Sequence, residues 1–136
     1  MITPRNLSES AKTQIVTYQV ADLAAAADLA DIPIFRCAKD ITIVEIGIIP
    51  EANSAGIDAS NTSIWLVEVG STAIATKTYD ATTTFPTKGV YNSLGAIASA
   101  DRLEGDVLTL SVTNGGTTAD TPVATLQIEF ILNENT

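Results

Sequence analysis

The residue types that do most protein chemistry are scarce in this chain. Its 136 residues include no histidine and a single cysteine, Cys37. Without histidine there is no imidazole to activate a serine or cysteine, so relay-type nucleophilic catalysis is excluded. The usual Cys/His ligand set of a structural zinc site is excluded with it. Cys37 therefore reads as a small buried hydrophobe rather than a nucleophile. Carboxylates offer more. Asp101, Glu104 and Asp106 lie close together in sequence, and a pair of them could serve as a glycosidase acid and base. They surround a turn, however, and Arg102 stands among them as a ready partner. With Asp120 they could supply oxygen ligands to Ca²⁺, but their spacing matches no calcium loop. Gly115-Gly116 lacks the Lys-Ser/Thr that follows in a phosphate loop. Asn6-Leu7-Ser8 and Asn61-Thr62-Ser63 fit the glycosylation pattern, yet Met1 to Asn6 shows no apolar leader core. The expectation is no enzyme: no catalytic residue, no cofactor and no metal.

Charge narrows the partners. The formal net charge is −9, from 16 acidic and 7 basic residues, and no Lys/Arg cluster makes the positive footprint that nucleic acid requires. The same balance disfavours an anionic membrane surface. The run from Ala21 to Ala30 carries Asp22 and Asp28 and is too short to span a bilayer. Charge is also unevenly spread. Arg5, Glu9 and Lys12 leave the start slightly basic, whereas no Lys or Arg follows Arg102 and Glu104, Asp106, Asp120, Glu129 and Glu134 do. With one cysteine and no leader, the chain is expected to be made and folded in a reducing cytoplasm.

The elements that would position these residues are strands. Hydrophobic residues make up 46% of the chain and aromatics only 5%, so the core must be built from Ile, Val, Leu and Ala, types that suit a pleated sheet. The clearest segment is Leu103 to Val112. Glu104-Gly105-Asp106 is a turn, after which Leu108, Leu110 and Val112 alternate with Val107, Thr109 and Ser111. Val123 to Leu132 alternates as strongly, with Ala124, Leu126, Ile128, Phe130 and Leu132 on the inward side. Thr62 to Val69 sets Trp65, Val67 and Val69 against Ile64 and Leu66, and Gly70-Ser71 turns the chain into Thr72 to Tyr79. Gln14 to Val20 and Val90 to Ala98 are further strands, the second weaker. Ile32 to Arg36 is short, and Pro33 confines it to an edge or a strand start. Ile41 to Ile49 is the longest β-branched run. Val44, Ile46 and Ile48 form one row and Ile41, Ile43 and Ile49 the other, so the strand is either central or covered on a second face by another subunit. Asp22 to Asp31 has apolar residues at helical spacing and predicts a short helix, with an irregular connection as the alternative.

This is one domain: an N-terminal arm over 1–13 and a sandwich over 14–136. About eight strands separated by turn chemistry give an all-β, antiparallel β-sandwich. An eight-stranded jelly roll with an extended N-terminal arm suits the loop lengths better than a meander.

Residues from about Arg36 to Leu132 carry a resemblance. The apolar strand Ile41–Ile49 is followed by a small-residue loop with Gly56 and Asp58. Asn61-Thr62 opens the strand Ile64 to Val69. The turn Gly105-Asp106-Val107-Leu108 leads into a Thr/Ser-rich strand, and the Gly/Thr loop Asn114–Thr118 leads to the last alternating strand. In order and spacing this resembles the small jelly-roll proteins that decorate tailed-phage heads. The resemblance implies a structural virion protein on the outer surface of a phage capsid, where it binds the major capsid protein and cements the shell as a homotrimer. Modest contacts would be multiplied by valency, and the arm could add a strand to an exposed edge. Ile2, Leu7 and Ile15 would then be apolar anchors, with Arg5 and Lys12 as pairing charges.

Two other readings compete. A carbohydrate- or receptor-binding module of a tail or fibre would need an aromatic platform, for which Tyr79 and Tyr91 are the loop-adjacent candidates. A subunit of another surface assembly would need only the sandwich.

Overall fold

The computed structural model describes residues 13–133. Nine strands run in the order β1 (Thr13–Val20), β2 (Asp28–Arg36), β3 (Ile41–Pro50), β4 (Ser63–Val69), β5 (Thr72–Tyr79), β6 (Asn92–Ser93), β7 (Asp101–Arg102), β8 (Val107–Asn114) and β9 (Ala124–Leu132). They form two antiparallel sheets packed as a sandwich. One has the order β1-β9-β3-β6, with β7 also on β3, and the other β2-β8-β4-β5. The last strand thus sits between the first and the third, and the eighth between the second and the fourth. That interleaving of chain ends is jelly-roll topology. β6 and β7 are two pieces of one edge, so nine segments fill eight jelly-roll positions.

Alternation decides what goes inside. Leu108, Leu110 and Val112 of β8 are buried, as are Ala124, Leu126, Ile128 and Phe130 of β9. These two are inner strands of their sheets, and their buried side chains share one core. Trp65 is buried, and its indole N–H donates to Ser63 Oγ at 3.0 Å. Ser63 Oγ in turn donates to Asn114 Oδ1 at 2.7 Å, and Asn114 Nδ2 donates to the Leu23 carbonyl at 3.0 Å and to Thr121 Oγ1 at 3.1 Å. This network ties β4 and β8 of one sheet to the connections before β2 and before β9, and no buried side-chain polar atom among the described residues is left unpaired. Phe85 closes one end against Trp65 and Tyr79, with ring centroids 6.2 and 4.9 Å away.

Three expectations are corrected. The helix over Asp22 to Asp31 does not form. Leu23 bridges to Thr121, and Asp28 onward belongs to β2, paired with β8 through two register shifts. Ala26 and Asp31 have φ of 61° and 49°, which no α-helix accommodates. The Asp31 N–H donates to Ser111 Oγ at 3.0 Å, so pairing with β8 overrides the local spacing. Val90 to Ala98 contributes only the two residues of β6, because Gly95 at φ 100° turns the chain off the sheet. In β3 the rows differ from strict alternation. Ile43 pairs with Phe130 and Glu45 with Glu129, leaving Val44 as the extra residue of a bulge. The bulge puts Ile41, Ile43, Ile46 and Ile48 together in the core and turns Val44 outward. β3 is a central strand, and its second face is the outer surface of the sheet.

Candidate docking surface

Cross-strand register builds the outer face of the β1-β9-β3-β6 sheet in rows. One row runs Thr13, Ile131, Thr42 and the next Ile15, Glu129, Glu45. A third runs Thr17, Gln127, Gly47, and the last Gln19, Thr125, Ile49. The second and third rows carry the distinctive chemistry. Glu45 and Glu129 are direct cross-strand partners, a placement in which like charges repel. Ser93 Oγ donates to Glu45 Oε1 at 2.5 Å, and no cation among the described residues pairs with either carboxylate. Tyr91 lies across the backbone of Gly47, close enough that a side chain at Gly47 would collide with its ring. Glu45, Tyr91, Gln127 and Glu129 line a shallow hollow there. Partial burial first, then Glu45 and Glu129, push the Tyr91 phenol up to about 12. At neutral pH it is a neutral donor among acceptors.

The row ends at the free side of β1. Among the described residues this strand pairs only with β9, and the register from Thr13 opposite Ile131 to Val20 opposite Ala124 is unbroken. Its sequence, Thr-Gln-Ile-Val-Thr-Tyr-Gln-Val, has no charge, no Pro and no Gly. The other three edges are defended in the ways natural sheets defend them. β2 has Pro33, three charged residues and two irregularities; β5 has Lys77 and a bulge against β4; the β6/β7 edge is two short fragments. Ile15, 57% exposed, stands on this undefended edge next to Glu129.

The other sequence candidates are placed as follows. Ile2, Arg5, Leu7 and Lys12 lie outside the described residues. Ile15 is on the outer face of β1. Tyr79 is no platform: it is fully buried, its hydroxyl donates to Asn92 Oδ1 at 2.8 Å, and burial pushes its phenol up strongly. Tyr91 is 41% exposed and does present a ring. The carboxylates of Asp101 and Asp106 are occupied structurally, and Glu104 is tied in through its backbone. Asp101 accepts from Thr42 Oγ1 at 2.7 Å, Asp106 Oδ2 sits 3.7 Å from Arg102, and Glu104 N–H donates to Asp40. Asp120 pairs by its backbone with Ala55, and no group of three metal-ligating side chains comes together among the described residues. Cys37 is buried, and burial followed by Asp106 pushes its thiol up. Sequence reasoning missed Glu45, Glu129 and Gly47. A Gly inside a β-branched run was the available signal for a close approach.

Neither the protein-family models nor the curated proteins give a match to this sequence. Solved structures give distant likenesses. A chain in the acidic stable capsid structure of Helicobacter pylori bacteriophage KHP30 aligns at 12% identity and a TM-score of 0.48, over 89% of this chain and 94% of that one. A chain of Bacillus endospore appendages, which form a family of disulfide-linked pili, aligns at 20% identity and a TM-score of 0.30, over 91% of this chain and 94% of that one. At these scores neither neighbour bears on what this chain does.

Proposed function

We propose that this protein is a structural virion component that binds the outer surface of a phage capsid and cements the shell. The observation that carries the reading is the undefended β1 edge beside an acidic, cation-seeking row. A long uncharged edge is a liability in an isolated domain and an asset in one made to be covered. The sequence resemblance to head-decoration proteins supplies the setting, and the net charge of −9 keeps the body off the packaged genome. Residues 1–12 precede β1 in sequence, and an arm with Ile2, Arg5, Leu7 and Lys12 would add to the contact that Ile15 offers. Assembly as a trimer would multiply weak contacts with the major capsid protein into firm binding.

Co-sedimentation of the purified protein with mature and immature heads tests this. Saturable binding to mature heads, three copies per local three-fold position, is expected. Absence of binding to both would remove the cement reading.

One observation favours a second reading. Tyr91 presents a ring on a sheet face flanked by Gln127, Glu129 and Glu45, an arrangement that could stack on a sugar ring and bond its hydroxyls. A tail- or fibre-type receptor module would use it so. A glycan array probed with the wild type and Tyr91→Ala decides: no hit at millimolar sugar leaves the capsid reading alone.

A further inference from the structure

The β1 edge has a specific occupant. We propose that it is filled by the N-terminal segment, residues 1–12, of a second copy of this chain, added as a strand beside Thr13–Val20. The inference rests on the self-associating reading above and says which surfaces meet.

Two observations define the site. The edge is unguarded over eight residues, in contrast to the other three. The row that starts at Ile15 continues to Glu129 and Glu45, two facing carboxylates with no cation among the described residues. A strand added beside β1 places its outward side chains next to Ile15. From there a Lys or Arg reaches over Ile15 to Glu129, since neighbouring strands are about 4.8 Å apart.

Charge complementarity then points to the donor. Residues 13–133 hold fourteen of the sixteen acidic residues and five of the seven basic ones, because Glu9, Glu134, Arg5 and Lys12 lie outside them. The first twelve residues have a basic balance, carrying Arg5 and Lys12 against Glu9; the other basic run, with Arg36 and Lys39, is fixed in β2 and the connection after it. Their own β1 is a poor target. The approach to it, Ser8-Glu9-Ser10-Ala11-Lys12-Thr13, has no Gly, Asn or Asp to make the tight hairpin that a fold-back would need. Twelve residues extend over roughly 40 Å, enough to reach a neighbouring body. Donation from copy to copy is a head-to-tail interface, which closes into a ring when the rotation allows. Shell binding would then depend on the arm through valency.

The test is sedimentation equilibrium of the full chain without shells, across micromolar to millimolar concentration. Wild type is expected to associate. The double variant Arg5→Glu/Lys12→Glu, and separately Glu45→Lys/Glu129→Lys, should each weaken association about tenfold, and Ile15→Lys should do the same by charging the edge. Combining the two double variants should restore association, a result that misfolding cannot produce. A monomer at all concentrations overturns the proposal. So does association that ignores the reversals, or that responds to the arm but not to the face. Failure of shell binding with association intact would sink the cement reading and leave this one standing.

Discussion

Gly47 occupies the middle of a strand otherwise rich in isoleucine because the Tyr91 ring fills the space above it. The contact is with the far end of a half-exposed side chain, so it can yield. Gly47→Ala should displace the ring and relieve its burial. The Tyr91 phenol should titrate below its present value of about 12, back toward 10, as read from tyrosinate absorbance. Global stability should change by less than about 1 kcal/mol, since Ala also gains over Gly in a strand. Asn114 is the opposite case. It is buried, and its amide joins Ser63, Leu23 and Thr121. Asn114→Ala leaves those partners unpaired in the interior and should cost about 3 kcal/mol in denaturant unfolding.

At the level of the strand, the bulge in β3 determines which isoleucines count. Strict alternation puts Val44 in the same row as Ile46 and Ile48. The structure instead exposes Val44 and buries Ile46 completely. Val44→Ser should therefore stay within about 0.5 kcal/mol of wild type, whereas Ile46→Ala should lose about 2–5 kcal/mol through its cavity. Equal losses at the two positions would mean that the bulge is misplaced. The same strand shows why edges matter. β3, β9, β8 and β4 have both sides paired, and among the described outer strands only β1 lacks any device against further pairing.

For the molecule as a whole, pH acts through two tyrosines. Both Tyr79 and Tyr91 are raised above the ordinary phenol value of 10, mainly by burial. The unfolded chain gives up these protons near pH 10 while the folded protein keeps them. Folding therefore holds more protons than unfolding in that range, and stability falls as pH rises. The contribution is fully present below pH 10 and is lost progressively through about 12 for Tyr91. Urea midpoints from pH 8 to 11 should decline over the upper half of that range. The decline should be smaller in Tyr91→Phe, which has no proton to lose at that position. At the acid end, Asp58 and Asp80 are held low by hydrogen bonds from Asn61 and Ser60 and from Thr83 and Thr82. Their loop contacts are present above the ordinary carboxylate range and fade as pH drops through their lowered values.

The sequence by itself determined the class of structure. Period-two alternation in β8 and β9 is a local property: a side chain's face follows from its position along the strand, whatever the partner. The turn at Gly105, the edge position of Pro33 and the buried Trp65 were legible for the same reason, since backbone geometry or side-chain chemistry fixes each without reference to distant residues. Tertiary structure alone decided the rest. The Asp22–Asp31 segment has helical spacing, but β8 needs a neighbour and takes Asp28–Arg36 as one. The bulge at Val44 follows from the match between β3 and β9, which are far apart in sequence. The candidate surface is hidden most deeply. Glu45 and Glu129 face each other only once the last strand has inserted between the first and the third, and Tyr91 covers Gly47 only once β6 has paired with β3. No window along the chain contains that arrangement, because cross-strand contact depends on register between distant segments.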